Sequence, residues 1–440
     1  MRRAVARSAA ALGLAVLILS GPGGALASGG VRVDLSTEYR TQWAQRHGEG
    51  NTRDQDLSVG LGLDAARAGI EGLSFSGLLF YEADLDGTSE DSPFKDNLDS
   101  YSRRDDLRLY RAALTYRVPG RWLRATAGRF EVWSAETATL DGGLVRLDPC
   151  PWATLEVFGG RRADFYRDPE PNSLYGGNLG LRPLPGSLLE LRSLYYIQNS
   201  MEASWLQQLG GLGSARAAWR MVDADPRDAS LALHLYPWAG AEAHLGYQRT
   251  FGHDFDYDYT SDEEFEVGGL RLGELHPYAD YRATLRQGFF RSRFGVGVRL
   301  RHHNVVDEAD EDAYNVDFRE GALLVDLSEW PWTGLRIDGE AVRWVEDRDR
   351  ADLTEDNLWG FALRAQQGWR GHALGAGVNR QAYDTDGAPR DSRGFDVWAR
   401  VRVSDPATLH LRYERQVDDL YRQGGIDALH ALTARLHLAF

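Results

Sequence analysis

Carboxylates are the most abundant candidate chemistry in this chain of 440 residues. One run holds Asp254, Asp256, Asp258, Asp262, Glu263, Glu264 and Glu266. A second holds Glu308, Asp310, Glu311 and Asp312, and a third holds Glu346, Asp347, Asp349, Asp352, Glu355 and Asp356. Such oxygen-rich clusters suit Ca2+ or Mg2+. The 254–258 segment has the D-x-D-x-D opening of an EF-hand loop, but Tyr259 stands where that loop needs Gly, so the motif fails. The clusters therefore read as a solvated acidic surface, and no resident metal or cofactor is expected.

A second set pairs charge with even spacing: Arg32, Asp34, Glu38 and Arg40; Arg111 and Arg117; Arg293, Arg299 and Arg301. In a strand, evenly spaced residues share one face. Rings of fixed charge around a water-filled pore set its ion selectivity. Arg–carboxylate pairs can equally brace an interior, and both readings stand. Enzymatic signatures are weak. There is no G-x-S-x-G. The single cysteine, Cys150, sits in the turn Asp148-Pro149-Cys150-Pro151, cannot form an internal disulfide and belongs to no haem-attachment motif. The chain is not expected to be an enzyme.

The elements that must carry these residues are strands. Val31, Val33, Leu35, Thr37, Tyr39, Thr41 and Trp43 alternate with Arg32, Asp34, Ser36, Glu38, Arg40 and Gln42. The same period of two recurs through Leu57–Leu63, Tyr110–Val118, Leu231–Leu235, Phe294–Leu300 and Phe395–Val403. In the final strand, Asp427 to Phe440, Leu432, Leu436, Leu438 and Phe440 share a face opposite Thr433, Arg435 and His437. The first strand exceeds the ~9–11 residues that cross a bilayer, whereas strands of soluble proteins run to about 5–6. A soluble sandwich or propeller explains alternation, but not this length repeated along the whole chain.

Composition agrees. Mean hydropathy is −0.44, which suits a barrel whose lipid-facing and lumen-facing residues average out. The net charge of −15 argues against nucleic acid as a partner. The N-terminus has Arg2, Arg3 and Arg7, a short apolar run from Ala9 to Leu19, and Ala25-Leu26-Ala27, which predicts a secretory signal peptide over 1–27 and a barrel over 28–440.

Connections predict the topology. Short turns fall near 67–71, 119–120, 148–151, 184–186, 237–240, 288–290, 328–333, 369–371 and 404–407. Longer polar segments fall at 47–54, 84–106, 163–172, 223–228, 253–276, 305–313, 347–356, 384–393 and 420–426. This alternation predicts an all-β, single transmembrane antiparallel up-and-down β-barrel with short periplasmic turns and long extracellular loops. The parse gives about 22 strands, with 16–20 also compatible. Residues 200–222 do not alternate cleanly and are read as two strands. Trp122, Trp152, Trp238, Trp330, Trp332 and Trp369 lie beside the short turns, and Trp43, Trp133 and Trp344 near the long loops, as two interfacial belts would require.

The last strand, ending in Phe440, resembles the closing strand of Gram-negative outer-membrane β-barrels, where the terminal Phe serves as an assembly signal. The segment Gly128-Arg129 followed by Leu140-Asp141-Gly142-Gly143 resembles porin-like families. The resemblance implies a porin-like channel of the cell outer membrane for passive diffusion of small polar or charged solutes. It implies contacts with outer-membrane lipid and lipopolysaccharide, and with the barrel-assembly machinery. Classical porins fold one long loop inward as a constriction, a role expected here for 84–106 or 253–276. The alternative is a scaffold barrel sheathing a periplasmic cytochrome or lipoprotein partner, because a 22-stranded lumen without a plug stands open. An energy-coupled receptor would carry a folded plug ahead of Val31. His253-Asp254 resembles the rim residues of outer-membrane proteases, but those barrels are smaller and a second Asp pair is missing.

Overall fold

The computed structural model describes residues 30–47, 52–66, 70–86, 94, 104–118, 120, 122–163, 173–196, 198–254, 274–275, 277–307, 315–347, 357–385 and 388–440. The predicted signal peptide, most of the 84–106 and 253–276 segments, and much of the second and third acidic runs lie outside them. Among the described residues, twenty-four strands follow in chain order. The first hairpins are β1 (Val31–Arg46) and β2 (Thr52–Ala65), β3 (Leu73–Asp84) and β4 (Asp105–Arg117), β5 (Leu123–Trp133) and β6 (Thr137–Cys150), β7 (Ala153–Arg162) and β8 (Ser173–Leu181), and β9 (Ser187–Tyr196) and β10 (Gln198–Gln208). Next come β11 (Gly213–Val222), β12 (Asp225–Leu235), β13 (Ala241–Thr250), β14 (His253–Asp254), β15 (Glu274–Leu275), β16 (Tyr278–Phe289), β17 (Phe294–Val305) and β18 (Phe318–Ser328). The last are β19 (Leu335–Glu346), β20 (Asn357–Trp369), β21 (His372–Thr385), β22 (Ala388–Arg402), β23 (Ala407–Asp418) and β24 (Ile426–Ala439).

All but β14 and β15 form one antiparallel sheet of 22 strands, each paired to its neighbour in the chain; β14 and β15 make a separate two-stranded ladder. The sheet closes where β1 pairs with β24, from Asp34↔Ala439 to Arg46↔Ile426. Phe440 completes the seam. Its N–H donates to the Val33 carbonyl at 2.9 Å, and the Val33 N–H donates to the Phe440 carbonyl at 3.0 Å. Closure pairs the backbone of the first and last strands with each other, as a bilayer core demands.

Alternation sorts every strand into two faces. Leu285, Val298 and Leu323 stand in register on β16, β17 and β18, and all are exposed. Leu231, Leu245, Leu363, Leu374, Val397 and Leu411 continue that apolar exterior. The opposite face carries the charge and is the interior, because a charged side chain at the bilayer midplane costs roughly 2–4 kcal/mol. Trp122, Trp152, Trp238, Trp330, Trp332 and Trp369 are all exposed beside periplasmic turns.

The region from 200 to 222 is two strands, as the sequence predicts, β10 and β11, joined by a 3-10 turn at Gly210–Leu212. Other segment readings need correction. The segment read as a 223–228 loop is a tight turn at Asp223–Ala224, and Asp225 already begins β12. Both turn residues take positive φ (49° and 74°), which closes the hairpin without a loop. The 384–393 loop is shorter too, since β21 runs to Thr385 and β22 starts at Ala388. In 420–426, a helix, α1 (Asp419–Gln423), is capped by Asp418, whose side chain accepts the Leu420 N–H. Trp344 is not a belt residue. It stands in register with Glu320 and Leu358 on the interior face, because Arg343 beside it takes the outer one.

Candidate functional site

Interior charges are mostly paired. Asp280, 1% exposed, holds Arg282 (2.9 Å) from its own strand and Arg301 from β17. Arg299 donates to Glu320 at 2.8 Å and to Glu340 at 2.5 Å, so one guanidinium ties β17 to β18 and β19. Arg286 bridges to Asp326 across Gly295, whose missing side chain leaves the space. Glu38 accepts from Arg435 across the closing seam, and Arg32 pairs with Asp34 at 2.8 Å. Bidentate and charge-assisted pairs of this kind are strong and directional.

The register puts Arg32, Asp34, Glu38, Arg40, Arg111, Arg117, Arg299 and Arg301 on the charged face. Arg293 lies in the turn before β17, off the strand. The set is not one cluster. Arg32, Asp34, Glu38, Arg299 and Arg301 are committed to ion pairs. Arg40, Arg111 and Arg117 make none with the described residues and are exposed. Arg40 lines a recess of about 660 Å³ with Arg364, Asp396, His410, Arg412 and Arg435, on strands β20 to β1.

Farther round the ring, the β5–β6 hairpin leaves the wall. β5 pairs with β4 only from Arg117↔Arg124 to Ala112↔Arg129; beyond that point its residues pair with β6 alone. The three-residue tip, Ser134 to Glu136, crosses the inner faces of strands far along the sheet. Ser134 Oγ lies 2.7 Å from Asn178 Oδ1 on β8 and donates to the Ser193 carbonyl on β9, and Asn178 Nδ2 donates to the Trp133 carbonyl. Glu136 accepts from Ser200 on β10 at 3.0 Å and from Arg227 on β12 at 2.6 Å. β8 is three strand spacings from β5, about 14 Å, so a hairpin upright in the wall cannot reach it.

Packing fixes this position. Phe130, Val132, Leu140 and Leu144 of the hairpin meet Phe158, Leu174, Leu194 and Tyr196 of the wall, with Leu140, Leu174 and Leu194 no more than 2% exposed. Interior residues of an uncovered water-filled barrel would be wet; these are dry because the hairpin lies on them. The opposite side of the hairpin then faces the lumen. It carries Trp133, 67% exposed, and Arg129 held bidentate by Asp141. Two glycines allow the bend. Gly128 has φ +120°, and a Cβ there would meet the Ala112 carbonyl at 2.1 Å. A Cβ on Gly142 would meet the Gly159 carbonyl at 2.2 Å. Bare backbone lets the strands cross this closely.

The sequence reading names 84–106 and 253–276 as constricting loops, and most of both lies outside the described residues. It does not point to the β5–β6 hairpin, which reaches into the lumen among the described residues. The available signal was the glycine pair Gly128 and Gly142 around an otherwise regular hairpin.

No protein-family model matches the chain, and no curated protein does. Among solved structures, the P pilus usher (PapC) translocation pore aligns with a TM-score of 0.53 at 10% identity, covering 92% of this chain and 99% of that one. A BenF-like porin from Pseudomonas fluorescens Pf-5 aligns at 0.48 and 12% identity, over 93% of this chain and 99% of that one. Pseudomonas aeruginosa OccK2 (OpdF) in complex with glucuronate aligns at 0.46 and 14%, over 93% and 98%. A closed ring with an aliphatic exterior and a charged interior belongs in the cell outer membrane. The chain is a 22-stranded barrel of the outer-membrane type.

Proposed function

We propose that the protein is a porin-like channel for passive diffusion of small polar or charged solutes, narrowed by the β5–β6 hairpin. The observation that supports this most is the anchored tip: Glu136 bound to Ser200 and Arg227 inside a charged, closed ring. A solute passing the narrowed section meets Trp133 and the Arg129–Asp141 pair on one side. On the other it meets the recess with Arg40 and Arg364. Fixed guanidiniums beside carboxylates favour solutes that carry charge or several hydrogen-bonding groups. The width of a plugless lumen is what favours a protein partner inside, and the hairpin occupies part of that width. Planar-bilayer recording of the purified protein, refolded alone, tests the reading. Stable openings with a definite reversal potential support it. A protein that stays silent without periplasmic components overturns it.

A further inference from the structure

On the interior face near the periplasmic end, we infer a binding site for a divalent first-row transition-metal ion, formed by His234, Glu242 and His244. His234 and His244 are directly opposed in the β12–β13 ladder, the position at which cross-strand side chains meet. Their rings stack with centroids 4.1 Å apart and 18° between planes. Glu242, two residues before His244, is on the same face, and its Oε1 lies 2.9 Å from His234 Nε2 and 3.0 Å from His244 Nε2. The three ligand atoms lie within 4.8 Å of one another.

Two imidazole nitrogens and one carboxylate oxygen are a donor set for Zn2+, Ni2+ or Cu2+, with the remaining positions open to water or solute. In tetrahedral coordination with bonds of about 2.0–2.1 Å, neighbouring ligand atoms stand about 3.4 Å apart. The present N···O separations need to open by only a few tenths of an ångström, which side-chain rotation supplies. On binding, each imidazole presents its Nε2 lone pair and keeps its proton on Nδ1. Arg286, opposite Glu242 in the ladder, is committed to Asp326 and does not compete for the carboxylate. All three side chains are partly exposed, so an ion reaches them from the water-filled interior. Tyr236 packs against His234 at 4.7 Å and fixes the ring on its periplasmic side. The site is independent of whether the barrel conducts.

The test is Zn2+ binding to the detergent-refolded protein, read by competition with a chromophoric chelator. Folding of every variant is checked by heat-modifiable migration. Wild type is expected to take one Zn2+ in this site. His234→Ala and His244→Ala should each weaken it at least as much as the roughly 10–100-fold lost with an outer-shell partner. Glu242→Gln should weaken it less, and His410→Ala, outside the cluster, should leave it unchanged. Should a histidine variant fail to fold, electron paramagnetic resonance of wild type with one equivalent of Cu2+ decides: nitrogen coupling from two imidazoles supports the site, and coordination by oxygen alone overturns it. Undiminished Zn2+ binding in the folded histidine variants would move the ion to surface carboxylates and overturn the inference, as would no binding in wild type.

Discussion

Glu136 and Arg227 are joined at 2.6 Å although five strands separate the hairpin that carries the first from the strand that carries the second. Neighbouring strands in a barrel are joined by their ladder, so a bond between such distant members requires the chain to cross the interior. Charge-assisted hydrogen bonds contribute about 1.5–3 kcal/mol each. Glu136 makes one to Arg227 and a second to the Ser200 hydroxyl. Glu136→Ala is therefore expected to free the tip while the ring persists. Single-channel records should show higher mean conductance and more frequent switching than wild type, with heat-modifiable migration retained. Unchanged conductance and noise would place the constriction elsewhere.

Gly128 tests the bend itself. A side chain there meets both a positive φ and the Ala112 carbonyl. Backbone strain of this kind costs about 1–3 kcal/mol. Gly128→Val should lower the denaturant midpoint of refolded protein and lower the exposure of Trp133 to water-soluble quenchers, because a hairpin that cannot bend turns this residue away from the lumen. Gly211, with open space around it, is the control, and Gly211→Ala should be neutral.

Asp280 anchors the β16–β17 wall. It is 1% exposed and holds Arg282 and Arg301 together. Removing it leaves two guanidiniums unpaired, but both are partly exposed, so the cost falls below the about 3–5 kcal/mol of a fully buried pair and above that of a surface pair. Asp280→Ala should therefore shift urea unfolding measurably. Asp338→Ala, which leaves only the exposed Arg336, should shift it by ~0–1 kcal/mol. Equal shifts would contradict the assignment of Asp280 as a brace.

Leu300 and Arg299 are neighbours on opposite faces of β17. Leu300 is 54% exposed on the aliphatic side. Leu300→Arg should destabilise the barrel in lipid by roughly 2–4 kcal/mol if the residue lies near the bilayer midplane. Leu324→Arg, on the charged face of β18, should cost less. The reverse order, measured by refolding into vesicles, would invert the two faces.

Strand number and facing were legible because a barrel imposes one rule throughout: each strand alternates, and each must span the bilayer. Val31–Trp43 shows this as plainly in the sequence as in the ladder. Residues 200–222 were harder, since Trp205 and Leu206 are adjacent apolar residues, and in the sheet they take opposite faces. The inward hairpin was not legible. Alternation continues through Phe130 and Val132 whether the strand stands in lipid or folds into the lumen, so periodicity is silent about it. The same limit hid Trp344. Its neighbour Arg343 was equally able to face either way, and only register with Glu320 decides. The opposed His234 and His244 were also invisible, because pairing across strands depends on a register that turn length sets.

Trp133 offers the most direct test of the central claim, the channel narrowed from within. In a Cys150→Ser background, Trp133→Cys would be recorded in planar bilayers before and after a bulky, charged, membrane-impermeant thiol reagent. The hairpin described here puts residue 133 in the lumen, so modification should produce a stepwise, lasting fall in single-channel current that the Cys-free parent does not show. Normal channels whose current is untouched by the reagent would put residue 133 against lipid, with the hairpin upright in the wall, and would contradict the account.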